Sequence, residues 1–240
     1  MTVDLAVLTV RDKRLQILLV ERAINPFRDK LALPGGFLAT EGEDLDTAAA
    51  RELAEETGLA AEHLHLEQMR AYGSPDRDPR ERVVTICYLA VVPNLPPPTA
   101  GGDARAARWR PIDAVLGDDV EIAFDHRSII ADAVERARNK LEYTTLGAAF
   151  CATPFTISEL RSVYETIWGQ RLDPRNFHRK VTSVDGFLLP TSEQTTRDGG
   201  RPAALYHRGP AQLMHPPILR APNLQRGLQQ RAPSRSVGSA

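Results

Sequence analysis

The chain has 240 residues, 42% of them hydrophobic and 25% charged, which excludes a fibre or a wholly disordered chain and suits one large domain or two modest ones. Its formal net charge of −1 divides unevenly: residues 1–140 carry 18 basic against 24 acidic side chains, and residues 141–240 carry 12 against 7. An acidic first part is therefore followed by a basic second part of the kind that meets phosphate.

No apolar run reaches the ~18–20 residues of a membrane span, and the opening MTVDLAVLTV lacks the layout of a signal peptide, so a cytoplasmic location with no membrane partner is expected. Cys87 and Cys151 are too few for a disulfide framework and have no zinc-type spacing, so both read as ordinary buried thiols.

In chain order, residues 5–10 and 15–20 read as two strands of a hairpin around the charged turn Arg11-Asp12-Lys13-Arg14. Gly35 and Gly36 follow Leu31-Ala32-Leu33-Pro34 and permit close backbone approach or positive φ. The pattern is helical from 46 to 57, with Gly58 as a C-terminal cap. Residues 83–92 form a long apolar strand. The proline-rich stretch 93–102 has the look of a linker, yet Arg108-Trp109-Arg110-Pro111-Ile112 behind it reads as one more strand of the same sheet. A long helix starts at Asp125 or Ser128 and keeps Ile129, Ile130, Ala133, Val134, Ala137 and Leu141 on one face.

Beyond Leu141 the texture changes. Thr156 and Glu159 fit a capping box, and Leu160, Val163, Tyr164, Ile167 and Trp168 follow at the spacing of a buried stripe closed by Gly169. Asp173-Pro174 starts a second helix that keeps Phe177, Val181 and Val184 inward as far as Gly186. Short strands at 187–189 and 203–206 flank a polar loop, 193–202. Two helices, a tight turn and a hairpin outline a winged helix-turn-helix. Residues 209–240, with four arginines and no acid, read as a disordered tail.

The chemistry concentrates in two places. The first is Gly36, six residues, Glu43, seven residues, then Arg51-Glu52-Leu53-Ala54-Glu55-Glu56-Thr57-Gly58-Leu59. Positions 52, 55 and 56 are i, i+3 and i+4, so three carboxylates share one side of a helix. A solvated acidic face is one reading; a site for a hard divalent cation, which relieves their repulsion, is the other. The whole string resembles the Nudix box, with one extra residue in the loop between Gly36 and Glu43. The resemblance implies an α/β/α sandwich, Mg2+ or Mn2+ on Glu52, Glu55 and Glu56 assisting water attack on a diphosphate, and a structural pair between Arg51 and Glu43. The longer loop leaves open whether such a site hydrolyses its nucleotide or only binds it.

Pro75 stands sixteen residues beyond Leu59, near where a proline accompanies ADP-ribose-directed members of that family; a plain Pro-Asp turn is the alternative. Gly36, Arg77 and Arg80 are candidate nucleotide contacts, with Arg82 beside them, against the alternative of solvated charge. Phe124 and His126 read as packing residues.

The second place is the 173–186 helix. At 100° per residue, Phe177, Val181 and Val184 share one side, while Arg175, Arg179 and Thr182 lie opposite, Asn176, Ser183 and His178 flank them and Lys180 is nearer the buried edge. Arginine and asparagine can read guanine and adenine edges in a major groove; a basic solvent face on a protein-docking module is the alternative. Arg201, with Arg197, His207 and Arg208, adds basic charge at the wing, and Arg171 at the turn.

A Nudix-type domain ahead of a winged helix resembles the Nudix-related transcriptional regulators of NAD metabolism, and the segments Ala123-Phe124-Asp125-His126 and 172–180 share in that likeness. This implies a homodimeric repressor that binds double-stranded operator DNA and takes ADP-ribose or an NAD-related nucleotide as effector; an active ADP-ribose diphosphatase is the rival. The expected fold is α+β: a Nudix sandwich over 1–141, a winged helix-turn-helix over 142–208 and a tail over 209–240.

Overall fold

The computed structural model describes residues 1–58, 64–93, 104–117, 120–196 and 202–221. Strands β1 (Thr2–Arg11) and β2 (Arg14–Arg22) form the expected hairpin, with Leu8 opposite Ile17 and Arg11 opposite Arg14. Asp12 and Lys13 turn it at φ of 50° and 56°, the left-handed pair that a two-residue hairpin loop requires. Then follow β3 (Leu31–Ala32), β4 (Gly35–Phe37), α1 (Leu45–Thr57), β5 (His65–Tyr72), β6 (Thr85–Val91), β7 (Ala104–Pro111), α2 (Ile112–Leu116) and α3 (His126–Tyr143).

The strands make one sheet in the order β3-β2-β1-β6-β5, with β4 added to β1 and β7 to β2. β6 lies parallel to β1, and the other pairings are antiparallel. Strand β7 pairs along β2 from Gln16 to Arg22, as expected of a further strand in the same sheet; residues 94–102 of the proline-rich stretch lie outside the described residues. Alternate residues serve opposite faces: Ala6 and Leu8 of β1 with Cys87 and Leu89 of β6 face one core, and Val3, Leu5 and Val7 with Ile86 and Tyr88 face the other. The first core takes α3; the second takes Ala48, Ala49 and Leu53 of α1. This is the α/β/α sandwich.

After α3, Thr145–Phe150 makes a 3-10 helix, followed by α4 (Ile157–Trp168), α5 (Pro174–Thr182), β8 (Leu188–Thr195) and β9 (Ala203–Arg208). Thr156 caps α4 in a reciprocal capping box with Glu159, and Gly169 ends it at φ 66°. Asp173 caps α5, with Pro174 in its first turn. Helix α5 stops at Thr182, so Val184, although buried, packs from the turn beyond and not from the helix. Strand β8 runs into the stretch expected to be loop, taking in Glu193–Thr195.

The two halves share a core. Leu160, Tyr164 and Phe177 lie in the same cluster as Leu8, Ile17 and Ile130. Two reciprocal bonds seal the seam: Arg138 Nε of α3 donates to the Ile167 carbonyl at 2.9 Å, and Trp168 Nε1 donates to the Arg138 carbonyl at 3.0 Å.

Residues 209–221 correct the expectation of disorder over 209–240. The Gly209 and Ala211 amides bond the carbonyls of Phe187 and Gly186, and those of Met214 and Ile218 bond the carbonyls of Tyr143 and Glu142. Met214 and Ile218 are buried, and Arg220 Nη2 reaches Glu135 at 3.3 Å. Two buried apolar anchors hold the segment, with these backbone bonds to the end of α3 and to the turn before β8. Residues 222–240 lie outside the described residues.

Candidate functional site

Helix α1 begins at Asp44, whose side chain accepts from the Thr47 amide, and ends at Gly58 with φ 69°. Its alanine and leucine face is buried against the sheet, which turns Glu52, Glu55 and Glu56 toward a cavity of about 380 Å3 floored by β1 and β4. Glu52 is nearly buried, its carboxylate against Gly36, where a Cβ would come within 2.4 Å of Oε1. Burial pushes the Glu52 carboxyl pKa up, against the pull of Arg51. Glu56 accepts from the Gly35 amide at 3.0 Å.

Despite the longer loop before it, Glu43 meets Arg51 twice, at Nε (2.8 Å) and Nη2 (3.1 Å), and also accepts from the Ala39 amide at 2.6 Å. Arg51 Nη1 lies between Glu52 (2.8 Å) and Glu55 (3.1 Å). The hydrogen bond from Arg51, then that from Ala39, holds the Glu43 carboxyl below its usual range. All donors on this side of the cavity are the hard oxygens that Mg2+ or Mn2+ takes. Among the described residues, no three acidic, histidine or cysteine side chains stand close enough to enclose an ion.

The other expected contacts fall on the opposite wall. Arg77 lines the cavity but is 7% exposed and engaged by Asp125 at 2.9 Å and Asp4 at 3.3 Å. It is thus neither solvated nor an open diphosphate ligand, because two carboxylates already neutralise it. Arg80 also lines the cavity, gripped by buried Asp78 through Nε (3.0 Å) and Nη2 (2.7 Å). Arg82 donates to the Gly73 carbonyl. His126 is a packing residue: burial lowers its pKa, and its Nδ1 accepts from the Leu33 amide at 2.9 Å. Phe124 packs against the α1-side core as expected, and both it and His126 also border the cavity. That Asp4, Asp78 and Asp125 hold these arginines escaped the sequence reading, which took Asp125 only as a helix start and part of the likeness, since a lone aspartate carries no spacing signal for its partner.

On α5, Phe177 and Val181 are buried, Arg175, Asn176, His178, Arg179 and Thr182 are exposed, and Lys180 is half-buried. Arg179 Nη2 donates to Asn176 Oδ1 at 2.8 Å, and the Thr182 hydroxyl donates to the His178 carbonyl of its own helix. Arg171 is exposed at the turn between the helices. Arg197 and Arg201 of the wing lie outside the described residues.

Comparison with known proteins agrees with this division. Residues 2–133 match the NUDIX domain and residues 147–207 match the NrtR DNA-binding winged helix domain. A protein of Acinetobacter baylyi named ADPR responsive transcriptional repressor NtrR is 34% identical over 207 residues, 86% of this chain and 80% of its own length. The crystal structure of Shewanella oneidensis NrtR complexed with a 27mer DNA aligns at a TM-score of 0.77 and 32% identity, over 92% of this chain and 98% of that one. The NUDIX domain of the same Shewanella protein complexed with ADP ribose aligns at a TM-score of 0.52 and 35% identity, over 56% of this chain and 86% of that one.

Proposed function

The chain belongs to the NUDIX domain family and carries the NrtR DNA-binding winged helix domain, and from that premise we propose that it is a transcriptional repressor whose hold on operator DNA responds to ADP-ribose or a related nucleotide in the α1 cavity. One observation carries the reading: a carboxylate-lined cavity beside α1 and a helix with a cationic exposed face are built on one sheet, α5 sharing with α3 the core on the face opposite α1. Arg175, Asn176, His178, Arg179 and Lys180 are proposed to meet bases and phosphates, with Arg201 on the backbone from the wing. Thr182, whose hydroxyl proton is used within the helix, contributes as an acceptor.

As a homodimer, the protein would present two such helices to half-sites ~34–36 Å apart, in operators of NAD biosynthesis or salvage genes in the cytoplasm. The three carboxylates do not close around an ion by themselves, so a divalent cation, Mg2+ or Mn2+, would take single oxygens from Glu52, Glu55 and Glu56 with water and the ligand's diphosphate completing its shell, and would supply positive charge for that diphosphate. Arg51, fixed by Glu43 on a separate edge, keeps these carboxylates oriented. Gly36 leaves room for the Glu52 carboxylate itself, whose Oε1 stands 2.4 Å from where a Cβ would be.

The test is DNA binding by the full chain to its own upstream region, by fluorescence anisotropy at fixed salt, with and without ADP-ribose. Specific binding that shifts with ADP-ribose is expected. Specific binding indifferent to ADP-ribose contradicts the sensor, and release of AMP and ribose 5-phosphate in the same tube identifies the diphosphatase.

A further inference from the structure

The charged turn of the β1–β2 hairpin lies away from the cavity beside α1, and two of its three cations are neutralised locally. Arg11 pairs with Asp12 at 3.8 Å and Arg14 with Asp113 at 2.6 Å. Lys13, between them, is exposed and has no ion pair among the described residues. It borders a groove of about 760 Å3 along α4, lined also by Ser158, Arg161, Ser162 and Thr166 of that helix and by Arg171 in the turn before α5. Ser158, Ser162 and Thr166 follow one another at i+4, so their hydroxyls form a row on one face.

The acids of the groove are already engaged. Glu159 closes the capping box on Thr156, and Glu165 Oε1 accepts from the Leu172 amide at 2.8 Å. Arg161 Nε is buried without a hydrogen-bond partner, 3.6 Å from that same oxygen and too far to donate to it. What the groove offers is therefore a set of cations beside a row of hydroxyls, the donors that phosphate oxygens take. Its position says which phosphates. In a helix-turn-helix the first helix crosses the DNA backbone while the second enters the major groove. Helix α4 is that first helix, and Arg171 stands just ahead of Asp173, the cap of α5. A duplex read by α5 thus carries its flanking backbone along α4, toward the hairpin.

We propose that this groove holds backbone phosphates of the operator, and that Lys13, at the tip of a hairpin of the nucleotide-binding sheet, donates to them beside Ser158, Ser162 and Arg171. The inference rests on the reading of α5 as the base-reading helix and extends the DNA contact beyond the winged helix into the first half of the chain. The same hairpin carries Asp4 and Arg22 on the wall of the α1 cavity, about 30 Å from Lys13 at ~3.3 Å per residue of strand. One pair of strands then touches both ligands.

The experiment is fluorescence anisotropy of the full-length chain with its own upstream region and with unrelated DNA, over a series of salt concentrations, for wild type, Lys13→Asn, Ser162→Glu and Arg14→Gln. Asparagine suits the left-handed φ of 56° at position 13, and melting temperatures verify the fold of each variant. Lys13→Asn should weaken both DNAs alike, by about threefold, and flatten the slope of log affinity against log salt by about 0.9, the share of one phosphate. Ser162→Glu, an acid among the hydroxyls, should weaken both as well. Arg14→Gln removes the same charge from the same turn but from a residue held by Asp113, and should leave the slope as it is. A slope unchanged in Lys13→Asn, or flattened equally by Arg14→Gln, overturns the contact while the repressor reading stands. Melting temperatures in millimolar inorganic phosphate separate the other source of the same chemistry: a rise lost in Lys13→Asn, with the DNA slope unchanged, gives the groove to a free phosphate ligand and overturns the proposal. If the wild-type chain does not bind its upstream region at all, the repressor reading fails and this contact fails with it.

Discussion

Gly36 owes its identity to Glu52. A methyl group there would sit 2.4 Å from Oε1 and 2.8 Å from Cδ of a carboxyl group that is itself nearly buried, so Glu52 would have to leave Arg51 or swing into the cavity. Gly36→Ala should therefore destabilise the chain by about 1–3 kcal/mol, as overpacking does, and weaken nucleotide binding by more than that loss of stability explains. Urea unfolding and ADP-ribose titration on one preparation measure the two effects, and normal affinity in the variant would mean that Glu52 takes no part in the site. The paired glycines were legible as a place of close approach. Their neighbours were not, because Gly35 answers to Val3 and Asp4 and Gly36 to Glu52, contacts that exist only once β4 joins β1 and α1 folds over both. Likewise the arginine at 77 was visible as charge, while Asp4, 73 residues away, decides its burial.

At the scale of elements, patterns with strong local chemistry came through. The Gly58 cap, the Thr156–Glu159 box and Asp173-Pro174 each fix a helix boundary by hydrogen bonds within four residues, so tertiary structure had little to add. Segments without such chemistry were missed. Strand β5 alternates weakly between half-buried and exposed residues, and residues 209–221 are broken by three prolines and show neither a helical nor a strand period. That last segment predicts its own test. Met214 is 2% exposed where the end of β9 returns to α3, so Met214→Ala should cost about 2–5 kcal/mol, the range for a buried methionine truncation. A disordered segment would show no change in urea midpoint.

Across the whole molecule, α3 connects the two functions. The residue before its first turn, Asp125, is gripped by Arg77 on the cavity wall, and its far half bonds the end of α4 through Arg138. The charge asymmetry of the sequence announced two tasks, and the buried stripe of α4 read as the core of a separate small domain. In the structure that stripe packs partly against β1, β2 and α3, a partner no periodicity can name. On the proposed reading, a nucleotide that alters the wall around Arg77 would act through α3 on α4 and α5 by way of the seam at Trp168. Trp168→Phe removes the Nε1 donor to the Arg138 carbonyl but keeps an aromatic ring against Tyr164. DNA affinity without ligand, and ADP-ribose affinity without DNA, should each stay within about threefold of wild type, while the coupling between them, ordinarily ~1–3 kcal/mol, shrinks toward zero. Anisotropy titrations of operator DNA at zero and saturating ADP-ribose give the coupling directly. Undiminished coupling in the variant would place the route elsewhere, with residues 209–221, which also bridge α3 to the wing, as the segment to examine next.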